Sequence, residues 1–242
     1  MEFTLEDYRK LLNTSLEIGY KICSYDNIDD FERGIILRHD VDFSPIKALE
    51  VAQIEHELGV KSTYFVLLST EFYNVFSNES AEIFKDILSM GHEIGLHFDE
   101  QRYTTTSLEQ IKENIYNEAE ILGRALSTQI NVISMHRPSK FTLDASIELE
   151  GLINSYSKKY FKDMKYISDS RMHWREDPLA LVSKNQTNKI HILTHPFWYS
   201  DELENIQSKL KKFLNEANVY RYNLLDKNFR DLHEYIKLED LL

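Results

Sequence analysis

Apolar runs of strand length recur along this chain, each breaking off at polar residues and each separated from the next by a long connection. The runs lie at 35–39, 62–68, 93–96, 130–134, 165–169 and 189–194. Between several of them apolar residues return at helical spacing, over 45–58, 79–90, 107–126 and 144–156. Connections of this length join parallel strands rather than hairpins, so the pattern predicts an α/β fold with a parallel sheet. A (β/α) barrel and a doubly wound sheet both satisfy it.

What ends each run matters more than the run itself. The first stops in Arg38-His39-Asp40-Val41-Asp42. Asp40 and Asp42 are two apart, which places both on one side of an extended backbone. Ser44-Pro45 follows as a helix start, with Ser as N-cap and Pro at the first helical position. Later runs deliver His97 with Asp99 and Glu100, then His136-Arg137, then Asp169, and finally His195. In a parallel sheet these positions share one edge, where ligands and catalytic groups collect. Imidazoles and carboxylates gathered there form a candidate site for a divalent metal such as zinc, which in a catalytic setting takes three protein ligands and keeps a position open for water.

Other classes are disfavoured by composition. A net charge of −12 argues against nucleic acid and against an anionic membrane surface. Cys23 is the single cysteine, so there is neither an intrachain disulfide nor a thiolate zinc cluster. No apolar run approaches a membrane span, and the acidic stretch at residues 1–7 has no signal-peptide core, so the chain reads as soluble and cytoplasmic. Without repeats or a linker, residues 1–242 read as a single domain, with a helical N-terminal extension at 1–33 and a helical C-terminal tail at 219–242. Thr4 and Ser107 open helices as N-caps, and Ser200 is expected to open the one over 200–217.

Gly91-His92-Glu93-Ile94-Gly95-Leu96-His97 resembles the second motif of the NodB-type polysaccharide deacetylases, carbohydrate esterase family 4. His136-Arg137-Pro138 resembles that family's Arg-Pro motif, Ile192-Leu193-Thr194-His195-Pro196 its Leu-x-His motif, and Arg38–Asp42 stands where the family carries an Asp-Asp pair. The four stretches occur in family order. The resemblance implies a distorted (β/α) barrel of parallel strands that hydrolyses an N-acetyl group from a carbohydrate, a glycan precursor, with a divalent metal, zinc first among them. Carried over by motif, it makes Asp40 the base, Asp42 and His97 metal ligands, Arg137 the orienter of Asp40, and His195 the acid, with Asp169, near Trp174, polarising His195. The chain departs from the pattern twice. Val41 separates the two aspartates, and Gln101 stands where a second metal histidine belongs. His136 is the first choice for the third ligand, with Asp99 and His92 as substitutes. Variants of this pattern accompany surface-polysaccharide genes. A degenerate deacetylase fold that binds glycan or a protein partner, and an amidohydrolase for a small non-sugar amide, are the competing functions.

Phe197 and Trp198, directly after His195, are candidates to stack on a sugar ring, and Trp174 to line the substrate. Phe72, Tyr73 and Phe76 read as core or interface. His92 reads as a buried structural histidine, and His56, between Glu55 and Glu57, as part of a solvated helix face.

Overall fold

The computed structural model describes residues 1–104, 107–145 and 147–241, which form two compact units, Met1–Tyr199 and Ser200–Leu242. In the first, helix α1 (Leu5–Ile18) is capped by Thr4, whose side chain accepts from the Asp7 N–H, and ends at Gly19 in the left-handed conformation. A short strand β1 (Lys21–Cys23) leads to β2 (Gly34–Val41), and Ser44 and Pro45 then start α2 (Pro45–Glu57) as expected. The chain continues through β3 (Thr63–Leu67), α3 (Asn78–Ser89), β4 (Glu93–Asp99), α4 (Leu108–Leu126) and β5 (Val132–His136). It goes on through α5 (Lys140–Asp144), β6 (Ile153–Asn154), β7 (Lys165–Ser168), α6 (Pro178–Lys184) and β8 (Lys189–Thr194).

The strands are parallel throughout and run in the order β6-β5-β4-β3-β2-β8-β7. On one edge, β2 gives its first half to β1 and its second half to β3. Curled with helices around it, this sheet is the distorted (β/α) barrel that the sequence motifs imply. Alternation along β2 sorts its side chains between two cores. Val41 joins the layer under α2, α3 and α4, with Phe84, Ile87, Ile111, Ile115 and Leu122. Ile36 faces the barrel interior with Phe65, Val132 and Tyr160, and Arg38 and Asp40 follow it on that face. Each fully buried aliphatic side chain contributes about 1.5–3 kcal/mol. Gly95 leaves room for the interior: a Cβ there would come within 2.6 Å of the Phe65 ring.

Three expectations are corrected. The stretch at 144–156 is not a helix: α5 is short and ends at Asp144, and a turn leads into β6, while Ser146 lies outside the described residues. In the second unit the helix α7 (Ile206–Asp226) is capped by Asn205 rather than Ser200, and it is continuous past residue 219. Phe72 and Phe76 are exposed rather than core, whereas the Tyr73 hydroxyl donates to the Val41 carbonyl and accepts from the Leu67 N–H.

His191, inside the barrel, donates from Nδ1 to the Tyr160 carbonyl at 3.0 Å and accepts at Nε2 from the Tyr25 hydroxyl at 2.8 Å. Burial, then the nearby Arg38 charge, pushes its pKa down to about 3. The unfolded chain titrates near 6.5, so the fold takes up this proton later than the unfolded chain does. Stability from the neutral ring is therefore complete above about pH 6.5 and is lost as pH falls toward 3, at up to about 1.4 kcal/mol per pH unit. Urea titrations from pH 7 to 4 should show a shallower loss of stability in His191→Gln than in the parent. Equal slopes would refute the assignment.

Candidate metal and catalytic site

β2 ends by placing Arg38 and Asp40 on its interior face, and Asp42 follows just past Val41. The Arg38 guanidinium, fully buried, lies over the rings of Phe65 and Tyr156 at 5.3 and 4.9 Å. It donates to both oxygens of Asp40, at 2.8 Å each. A forked pair of this kind fixes the carboxylate in plane and in rotation. Burial would raise the Asp40 carboxyl, but Arg38, and after it His97, bring it below the usual carboxylate range.

Asp42 meets two histidines from neighbouring strands. His97 comes from β4 and His136 from the last position of β5. Asp42 Oδ1 lies 3.3 Å from His97 Nε2 and 3.5 Å from His136 Nδ1, and the two imidazole nitrogens are 3.1 Å apart. These three residues form a group able to hold a metal ion. A tetrahedral ion with bonds of about 2.0 Å spaces its donors about 3.3 Å apart, the size of this triangle. Asp42 Oδ1 is buried and has no hydrogen-bond partner among the described residues. A bare buried carboxylate oxygen is costly unless a cation or donor meets it. Burial, with the neighbouring His97, holds His136 down to about 4, the neutral form that a ligand needs. The donor set, one carboxylate and two imidazoles, suits zinc and similar borderline ions.

His195 stands across Asp42, its Nε2 at 3.8 Å from Oδ2. Its Nδ1 donates to Asp169 Oδ1 at 2.6 Å, and its backbone N–H reaches the same carboxylate. Tyr199 donates to the other oxygen at 3.3 Å. Burial lowers the His195 pKa, but Asp169, helped by Asp42 and Asp40, outweighs it and brings the pKa to about 9. Beside this pair, Phe197, Trp198 and Phe43 form an aromatic cluster that Phe72 joins, with ring centroids 4.9–6.3 Å apart.

One expected position lies elsewhere. Arg137, expected to orient Asp40, is largely exposed and pairs with Asp99 at 2.9 Å. The guanidinium on Asp40 belongs to Arg38. Trp174, expected to line the substrate, stacks on Phe3 with parallel rings 6.4 Å apart. Arg38 was within reach of the sequence, because residues two apart on a strand share a face. Gln101 sits exposed with its N–H on Asp99 Oδ1, and His92 is buried between the Ser62 N–H and the Ala52 carbonyl.

No family model and no curated protein matches this sequence. Solved structures do match. A family 4 carbohydrate esterase from Streptococcus mutans is similar at 14% identity over 86% of this chain and 94% of its own, with a TM-score of 0.52. A family 4 carbohydrate esterase from Bacillus anthracis matches at 14% identity over 84% and 82%, TM-score 0.44. A Streptococcus pyogenes deacetylase in complex with acetate matches at 12% identity over 78% and 82%, TM-score 0.45. The fold is that of the NodB-type polysaccharide deacetylases.

Proposed function

We propose that this chain is a metal-dependent carbohydrate deacetylase that hydrolyses the N-acetyl group of a sugar in a glycan precursor. The observation that carries the proposal is the triangle of donor atoms on Asp42, His97 and His136, flanked by Asp40 on one side and His195 on another. Asp42 Oδ1, His97 Nε2 and His136 Nδ1 would hold the ion, zinc by preference. When bound, the ion lowers the pKa of a water molecule and polarises the amide carbonyl.

The remaining roles fall to the chain itself. Asp40, fixed by Arg38, accepts the proton of the attacking water. Its forked pairing aims the carboxylate and fixes its Oδ2 at 3.4 Å from His97 Nε2. His195 carries a proton on Nε2 and gives it to the departing amine, and Asp169 on Nδ1 sets the ring's orientation and stabilises its charged form. Phe43, half-buried, offers an apolar face for the sugar ring, and the buried Phe197 and Trp198 pack against it in support. The missing histidine at Gln101, which motivates a non-catalytic reading, is made good in this arrangement by His136.

Acetate release should be measured on N-acetylated monosaccharides, oligosaccharides and nucleotide- and lipid-linked sugars, beside simple amides, with zinc supplied. Release from an N-acetyl sugar is expected, falling by about 10²–10⁴ in Asp40→Asn and in His195→Ala. Turnover confined to non-sugar amides would move the assignment to a small-amide hydrolase. An unchanged rate in Asp40→Asn would end it.

A further inference from the structure

Two polar atoms in the barrel interior, on adjacent strands, have no hydrogen-bond partner among the described residues: His97 Nδ1 and the Ser134 hydroxyl. His97 is 2% exposed and Ser134 0%, so solvent does not serve them. An unserved buried polar group is costly, and such groups are rare in a native interior. Their placement is specific. His97 on β4 and Ser134 on β5 are register partners, so their side chains stand side by side on one face of the sheet. That face is the interior one, since Val132 and His136, two residues either side of Ser134, point to the interior core and to the donor triangle.

The far side of the His97 ring is committed. Nε2 faces His136 Nδ1, Asp42 Oδ1 and Asp40 Oδ2 at 3.1, 3.3 and 3.4 Å. For Nε2 to offer a lone pair to an ion, the ring proton must sit on Nδ1. A ligating histidine almost always hands that proton to an acceptor, which fixes tautomer and ring plane. The backbone register brings one hydroxyl beside it, and a serine moves its oxygen between staggered positions at little cost.

We infer that Ser134 is the positioning residue for His97: its hydroxyl accepts the Nδ1 proton and holds Nε2 as the metal-binding atom. The inference rests on the metal-dependent function proposed above. It goes further by assigning the metal site's affinity in part to a residue that contacts neither the ion nor the substrate.

Zinc affinity measured against a competing chelator tests it, together with nitrogen NMR of the histidine rings in the zinc-loaded protein. Ser134→Ala is expected to bind zinc about 10–100-fold more weakly. In the parent the His97 Nδ1 proton is expected to be protected from exchange, and in Ser134→Ala to exchange freely. Ser134→Thr, which retains a hydroxyl, should restore both, while the metal-free Ser134→Ala protein melts as the parent does. Parent-like affinity and exchange in Ser134→Ala, with the parent binding one zinc per chain, would overturn this inference alone. A parent that binds no zinc would overturn it together with the proposed function.

Discussion

Asp42→Asn and His97→Ala proteins are expected to retain less than a tenth of the zinc that the parent holds after gel filtration, and to lose turnover by about 10³ or more. The reason is the geometry of the triangle. Asp42 is its only carboxylate, and its Oδ1 is the corner that both imidazole nitrogens face at 3.3 and 3.5 Å. An amide in its place removes the charge that balances a dication. It can also turn an N–H toward the nitrogens and block the site. His97 is packed at 2% exposure, so an alanine there leaves a cavity that the strand cannot refill with another donor. Elemental analysis distinguishes this outcome from simple unfolding when it is run beside circular dichroism. Metal content near one per chain in both folded variants would refute the assignment of ligands.

Glu55→Ala is expected to destabilise the fold by roughly 3–5 kcal/mol, the usual cost of stripping one member from a buried charged network. For a chain of this size that is a fall in melting temperature of roughly 10 °C. Glu55 is fully buried on α2, behind β2. It accepts from the hydroxyls of Tyr8, Ser62 and Tyr64 at 2.6 Å each, and from His39 Nε2 at 2.8 Å. His39 in turn contacts Thr194 Oγ1 at 2.6 Å, one residue before His195. Removing the carboxylate from α2 leaves polar groups on α1, β2, β3 and the approach to β3 unsatisfied at once. Burial would raise the Glu55 carboxyl, but His39, then His92 and the hydroxyl donors, bring it down to about 2. The unfolded chain titrates near 4.3, so the stabilisation is complete above about that pH and is lost as pH falls through 2. Glu55→Gln should lose this acid dependence. A melting temperature within about 2 °C of the parent in Glu55→Ala would show that the network does not hold these elements together.

Glu55 also shows where the sequence misleads. Followed directly by His56 and Glu57, which face solvent, it shares the look of their polar stretch. Yet Ala48, Val51, Ala52 and Glu55 fall on one helical stripe, and the structure buries all four. Charge composition hides this, because a glutamate is almost never fully buried unless it is partnered. The partners come from α1, β2, β3 and its approach, separate segments that precede and follow Glu55 along the chain. Arg137 is the complementary case. Its place in a motif suggested a role on Asp40, and the fold hands that role to Arg38, which shares a strand face with its partner.

The sequence by itself determined the parallel α/β class, most of the strands, the helix starts at Thr4, Ser44 and Ser107, and the convergence of Asp40, Asp42, His97, His136, Asp169 and His195 on one edge of the sheet. These follow from local rules: a period of two in strands, capping chemistry, and the direction of parallel strands. Only the tertiary structure decided that His136 rather than Asp99 or His92 completes the donor triangle, that Arg38 grips Asp40, and that Trp174 stacks on Phe3. Those outcomes turn on which side chains meet between segments that neighbour one another only after folding. Spacing along a chain shows which edge a side chain reaches, and packing decides which atom it meets there.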